Sequence, residues 1–297
     1  MKRITELSAS GLAGDLNRRA KEITELLKRA LAEDLGAGDL TTDAVLPEAV
    51  RARGRLIANQ VLVIAGPPLA EEVFDLLDLQ SVFRRAADEG AQVSRGAVLA
   101  EVTGDAGALL RGERTALNFL QRLCGIATLT RRFVARLGES KTKLLDTRKT
   151  TPTMRALEKY AVRVGGGRSH RFGLFDAVLI KENHSRMAGG VGEAVRRAQN
   201  KHGRGRRVQA EAGSLDDVKE ALAAGADSLL LDNMTPEQVR AAVKTVAGRV
   251  PVEVSGGISL ENIGKYAMLG ADFISVGALT HSAPAADISF ELESIGE

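Results

Sequence analysis

Arg148, Lys149, His170, Arg171 and Lys181 crowd cationic and hydrogen-bonding side chains into one stretch of a 297-residue chain, and Glu211 and Asp232 follow as carboxylates at the ends of apolar runs. A run of fixed cations is costly to gather in one cleft without an anion, so this set points to a ligand with several carboxylates or phosphates. Two carboxylates are too few for a tight all-protein metal cage. They suit Mg2+ bridged by substrate phosphates, or else each pairs with a nearby Arg or Lys. Ser255-Gly256-Gly257 and Ser275-Val276-Gly277-Ala278 are glycine-bearing segments through which backbone N–H groups can approach a phosphate.

The distribution of charge agrees. Lys+Arg 41 against Asp+Glu 38 gives only +3, yet Asp146 to Arg186 holds nine basic and four acidic residues, a local +5 in a chain otherwise at −2. A local excess favours a small polyanion over an extended nucleic-acid surface. With no Trp and 3% aromatics, the bases of a single strand would find few stacking partners. Arg155, Lys159 and Arg163 are expected on solvated helix faces.

These residues need elements that bring them together. From Lys143 onward, KLLDT, DAVLIKEN, RVQAEA, DSLLLDN, VPVEVS and DFISVG read as strands, and amphipathic helical runs such as VGEAVRRAQN, SLDDVKEALAAG and TPEQVRAAVKTVAG separate them. Ser214 and Thr235 are suited to N-caps, and Gly225, Gly248 and Gly270 to left-handed C-terminal turns. Strands alternating with helices, without a dinucleotide fingerprint, predict a parallel (β/α) barrel, whose chemistry gathers where strands end and loops begin. The candidate residues fall at those ends, and the two glycine segments follow the last strands, where barrels commonly bind phosphate.

Upstream, residues 15–34 predict an amphipathic helix capped by Asp15, and the next hundred residues mix strand-like runs with the helical PLAEEVFDLL, as in an α+β domain. Residues 111–137 read as one long helix. Cys124 is the single cysteine, which excludes an internal disulfide and fits a reducing compartment. The N-terminus has no uninterrupted apolar core, and no stretch nears 18 uncharged apolar residues, so a soluble cytoplasmic protein is expected.

D-T-R-K-T-T-P (Asp146 to Pro152), E-K-Y-A-V-R-V-G-G-G (Glu158 to Gly167), H-R-F-G-L-F-D (His170 to Asp176), L-I-K-E-N-H (Leu179 to His184), L-L-D-N (Leu230 to Asn233) and V-S-G-G-I (Val254 to Ile258) together resemble the quinolinate phosphoribosyltransferase family. Upstream, E-D-L-G-A-G-D-L-T-T (Glu33 to Thr42) and E-R-T-A-L-N (Glu113 to Asn118) resemble it too, so the likeness covers nearly the whole chain. It implies an α/β protein: an N-terminal α/β sandwich domain (1–118), an incomplete, about seven-stranded parallel α/β barrel (119–280), and a tail (281–297) returning to the N-terminal domain.

The resemblance also implies the reaction. The quinolinate ring nitrogen attacks the anomeric carbon of phosphoribosyl pyrophosphate, Mg2+-pyrophosphate leaves, and CO2 departs to give nicotinate mononucleotide. Thr147, Arg148, Lys149, His170, Arg171 and Lys181 then correspond to substrate binding, and Ser255 to Gly257 with Val276, Gly277 and Ala278 to the phosphate loops. Glu211 and Asp232 correspond to the ribose and metal carboxylates, and either Lys149 or Lys181 assists decarboxylation. Arg114 corresponds to an arginine donated by the other subunit of a homodimer, alone or within a higher oligomer. The other readings weighed are a Schiff-base enzyme using Lys181, an anion-binding relative without turnover, and nucleic-acid binding; neither nucleic acid nor membrane is an expected partner. Thr153, Ser169 and Gln209 depart from the family's usual Gly, Asn and acidic residue, and put substrate specificity rather than activity in question.

Overall fold

Apolar residues at every third or fourth position make the first helix, α1 (Ala20–Leu35), amphipathic: Ile23, Leu27 and Leu31 are buried while Glu22, Glu25 and Lys28 face solvent. The computed structural model describes residues 16, 18–46 and 50–295, so the expected Asp15 cap lies outside the described residues. After α1 come α2 (Leu40–Val45), β1 (Arg51–Ala58), β2 (Leu62–Val63), α3 (Pro67–Leu77), β3 (Val82–Arg85), β4 (Gln92–Val93), β5 (Val98–Asp105) and the long α4 (Ala106–Leu137). The second half reads β6 (Lys143–Leu145), α5 (Arg155–Val164), β7 (Val178–Ile180), α6 (Glu182–Ala188), α7 (Val191–His202), β8 (Val208–Ala212), α8 (Leu215–Ala223), β9 (Ser228–Asp232), α9 (Pro236–Val246), β10 (Val252–Ser255), α10 (Ile263–Ala267), β11 (Phe273–Ser275), α11 (Ala278–His281) and β12 (Ile288–Ser294).

The described residues form two compact units, one drawn from those within Met1–Thr130, Ala156–Gly166 and Ala283–Glu297, the other from Arg131–Arg155 and Gly167–Ser282. α4 continues unbroken past residue 118, and eleven residues around α5 join the first unit. In that unit an antiparallel sheet runs β12-β1-β5-β3. β12 pairs with β1 from Ala52↔Ser294 to Ala58↔Ile288, and Gln121 Nε2 donates to Ile288 O at 2.8 Å, fastening the end of the chain there.

The same unit corrects the expectation for α5. Glu158 and Lys159 are buried, at 0% and 1% exposure, and Arg163 is half-buried. α5 is covered nearly all round, so its charges need partners inside: Arg122 Nη2 lies 2.7 Å from Glu158 Oε1, and the Tyr160 hydroxyl donates to Glu89.

The second unit holds six parallel strands in the order β6-β11-β10-β9-β8-β7, flanked by helices. Ser214 caps α8 through the Asp217 N–H, and Thr235 and Gln238 form a capping box on α9. Gly225, Gly248 and Gly270 all take positive φ after their helices. The barrel has six strands where about seven were expected. β6 and β7 do not pair, and a single parallel bridge, Leu145↔Arg168, stands between them. Past Arg168 the chain turns irregular because side chains take its amides: His170 N donates to Asp146 Oδ1 at 2.8 Å, and Phe172 N and Gly173 N donate to Asp176. No helix among the described residues is long and apolar enough to cross a membrane.

Thr153 adopts φ 66°, a left-handed conformation that a β-branched residue takes at a cost of about 1–2 kcal/mol. Its side chain is exposed, so little packing compensates. Thr153→Gly is therefore expected to raise stability by about 0.5–1 kcal/mol after glycine's extra unfolded-state entropy is subtracted, read as a higher urea midpoint at unchanged m-value.

Candidate active site

Side chains alternate across a strand, so β8 turns Gln209 and Glu211 to one face and buries Val208, Ala210 and Ala212 on the other. Strand register carries that parity along the sheet: Glu211 lies beside Leu230, Glu253 beside Leu230 and Phe273, and Ser255 beside Asp232. From this face Glu211, Leu230, Asp232, Glu253 and Ser255 line a cavity of about 670 Å3, a volume suited to small-molecule substrates. Thr147, Arg148, Lys149, His170, Arg171, Lys181, Glu211, Asp232, Ser255, Gly256, Gly257, Val276, Gly277 and Ala278 all line it. Arg114 does not; it is exposed on α4, in the first unit.

The loop after β6 is tied down at several points. Thr280 Oγ1 donates to Lys149 O at 2.8 Å, and Arg155 reaches Thr150 Oγ1 at 3.0 Å, Arg148 O at 3.4 Å and Phe172 O at 3.0 Å. Arg155, expected on a solvated face, is thus a half-buried clamp joining the two loops that carry Arg148 and Arg171. Arg171 Nη1 donates to Ala177 O at 3.1 Å. Burial, then the charge of Arg148, pulls the Arg171 guanidinium below its usual range. Two guanidiniums lining one cleft suit a ligand with two negative charges.

The carboxylates sit beside the lysines. Glu211 accepts from Lys181 Nζ at 3.4 Å and from the Glu182 N–H at 3.1 Å. That ion pair differs from the apolar pocket in which a Schiff-base lysine is activated. Burial, then the charge of Glu211, holds the Asp232 carboxyl above its usual range, against the pull of Lys181 and Lys149. At the last strands, Gly256 has φ 90°, and a Cβ there would collide with the Asn233 side chain. A Cβ on Gly277 would stand 2.9 Å from Lys149 Cδ. Val276 N is committed to Leu145 O at 3.0 Å, so any anion contact through its amide is excluded in this arrangement.

Glu253 is the cavity residue that motif reading missed. It is buried on β10 and holds its carboxylate 3.2 Å from His170 Nε2. Burial drives its carboxyl up, but its contacts with His170, Ser275 and Gln209 outweigh that and hold it below the usual range. The available signal was parity: Glu253 precedes Ser255 by two positions, as Gln209 precedes Glu211. His281, on α11, also lines the cavity and was not anticipated.

Comparison with known proteins gives these features a common context. The quinolinate phosphoribosyl transferase N-terminal domain matches residues 39–124, and the C-terminal domain of the same family matches residues 126–291. The chain is 41% identical over 273 residues to the probable nicotinate-nucleotide pyrophosphorylase (carboxylating) of Bacillus subtilis, covering 91% of this chain and 93% of that protein. The crystal structure of NadC from Streptococcus pyogenes superposes with a TM-score of 0.90 at 40% identity, covering 93% of this chain and 98% of that one. The nicotinate-nucleotide pyrophosphorylase from Francisella tularensis gives 0.88 at 41% identity, covering 92% and 96%. With matching models over both halves and relatives of this identity along nine-tenths of its length, the chain belongs to the quinolinate phosphoribosyltransferase family.

Proposed function

We propose that this cavity transfers the phosphoribosyl group of phosphoribosyl pyrophosphate to quinolinate with loss of CO2, giving nicotinate mononucleotide for NAD biosynthesis. The observation that carries the reading is the Arg148–Arg171 pair, whose mutual repulsion a ligand with two carboxylates would relieve. Binding both carboxylates fixes the ring and aims its nitrogen, which removes part of the entropic barrier. The nitrogen lone pair bonds to the anomeric carbon as the C–O bond breaks and pyrophosphate leaves with its electron pair. Positive charge builds on the ribose during that step, and Glu211 and Asp232, which both line the cavity, would stabilise it. The bond to the 2-carboxylate then breaks, CO2 leaves, and the electron pair left on the ring beside a cationic nitrogen takes a proton. Lys149 and Lys181 both line the cavity as candidate donors.

Among the described residues, no three His, Cys, Asp or Glu side chains gather as a metal cage. The mutual repulsion of Glu211 and Asp232 nevertheless suits Mg2+ held jointly with substrate phosphates and water, where it would neutralise pyrophosphate charge. The exposed Arg114, outside its own chain's cavity lining, is assigned to the cavity of a second copy in a homodimer. Cys124 is buried, with its thiol pushed up to about 12 by burial, which keeps it from acting as a thiolate nucleophile.

Purified protein given Mg2+, phosphoribosyl pyrophosphate and quinolinate labelled in the 2-carboxyl group is expected to release labelled CO2 and nicotinate mononucleotide in equal amounts. Unlabelled CO2, or none, would remove the assignment.

A further inference from the structure

His170 uses both ring nitrogens on the protein. The Arg171 N–H donates to its Nδ1 at 2.7 Å, and a ring nitrogen that accepts a hydrogen bond carries no proton. The ring proton therefore sits on Nε2, which points at Glu253 Oε2 3.2 Å away. Gln209 Nε2 donates to the same oxygen at 2.8 Å. The His170 backbone is pinned as well, its N–H donating to the buried Asp146 carboxylate at 2.8 Å.

We propose that Glu253, supported by Gln209, is a positioning residue: it locks His170 as the Nε2–H tautomer, and His170 Nδ1 in turn fixes the backbone of Arg171, so that guanidinium charge and not an imidazolium meets the dicarboxylate. The proposal rests on the quinolinate reading of the cavity. Its physical basis is that buried polar groups engaged on all sides have few alternative arrangements, which gives a side chain lasting orientation. Glu253 takes two donors on one oxygen, so its orientation is set from a neighbouring strand and a loop at once. A third cation beside Arg148 and Arg171 would add to their repulsion, whereas a neutral imidazole adds none. Gln209 suits this role because an amide gives Glu253 a donor without placing a second carboxylate beside it.

Three proteins test this: the unaltered chain, Glu253→Gln and Glu253→Ala. The amide oxygen of Glu253→Gln can accept both donors, so its quinolinate KM is expected to stay within about threefold, whereas Glu253→Ala is expected to raise it about 10- to 100-fold with the KM for phosphoribosyl pyrophosphate within about twofold. Nitrogen-15 spectra of the labelled histidines, with His170 assigned by its loss in His170→Asn, should show Nε2–H with an unprotonated Nδ1, and averaged tautomers in Glu253→Ala. The proposal is overturned if Glu253→Ala leaves the quinolinate KM unchanged or raises both KM values equally, if Glu253→Gln is as damaging, or if His170 carries two protons in the unaltered chain. Should Glu253→Ala not fold, Glu253→Gln and the spectrum of the unaltered chain still decide. An unaltered chain inactive on quinolinate would sink the reaction assignment alone, and the His170 spectrum would still decide the relay.

Discussion

Arg148→Ala is expected to lower kcat/KM for quinolinate by about 10²–10⁴-fold while leaving the KM for phosphoribosyl pyrophosphate nearly unchanged. Removing one partner of a desolvated charge pair costs about 3–5 kcal/mol, and each 1.4 kcal/mol is tenfold. The loss should fall on quinolinate because the charge of Arg148 acts on Arg171, its partner in the dicarboxylate reading, whereas Lys181 and Lys149 are the cations that act on Asp232. Arg148→Lys keeps the charge but not the planar fork that meets a carboxylate with two parallel hydrogen bonds, so it should recover only part of the loss. Folding should not suffer, because the contact from Arg155 is to the Arg148 backbone carbonyl, which the substitution keeps. Equal losses toward both substrates would show that Arg148 does not serve the dicarboxylate.

The same variant tests the assignment of Arg114 to a second copy. Arg114→Ala should also be inactive. If each cavity takes Arg148 from one chain and Arg114 from the other, an equal mixture that re-pairs at random restores about a quarter of the sites, since a mixed dimer concentrates both defects in one cavity and leaves the other intact. A mixture no more active than its parts would return Arg114 to a role within its own chain or to none.

Much of this site is legible in the sequence, for reasons that differ residue by residue. The strands of the second unit announce themselves because each is a short apolar run ending in a polar residue, and a parallel sheet brings such ends to one side. Ser214 and Thr235 were readable because capping depends on residues three positions apart. Lys159 was not: its helical period looks like that of a solvated face, and only the surroundings of α5 show that nearly all of that helix is covered. Glu253 was hidden for a related reason. Motif reading stops at strand ends, while Glu253 sits inside a strand and acts through His170, far away in sequence. Arg155 was equally invisible, because its partners are mostly backbone carbonyls, which carry no residue identity. The missing seventh strand followed from side chains such as Asp146 and Asp176 taking the amides a ladder would need.

Asp232→Asn is expected to abolish most activity and yet make the unliganded protein slightly more stable at neutral pH. Burial and the neighbouring Glu211 raise the Asp232 pKa, so its ionised form is disfavoured in the folded state. A folded-state value above the unfolded one contributes stability below the unfolded pKa, and that contribution is lost as pH rises through the folded pKa. At neutral pH the ionised group is thus a burden that the amide removes, worth less than about 1 kcal/mol once the partial exposure of the site is allowed for. The bond from Asn233 Nδ2, 2.7 Å from Asp232 Oδ2, survives because an amide oxygen accepts it equally well. The advantage should vanish at acid pH, where Asp232 is already neutral, so urea midpoints of the two proteins should converge there. Activity moves the other way: losing a carboxylate that stabilises charge in the transition state costs about 10²–10³-fold in kcat. Magnesium with pyrophosphate should stabilise the unaltered protein more than the variant, since the strain at Asp232 and Glu211 is what a cation relieves. A variant less stable at both pH values would mean that Asp232 is held for the fold; the opposite signs expected here mean that it is held, at a cost to the fold, for the reaction.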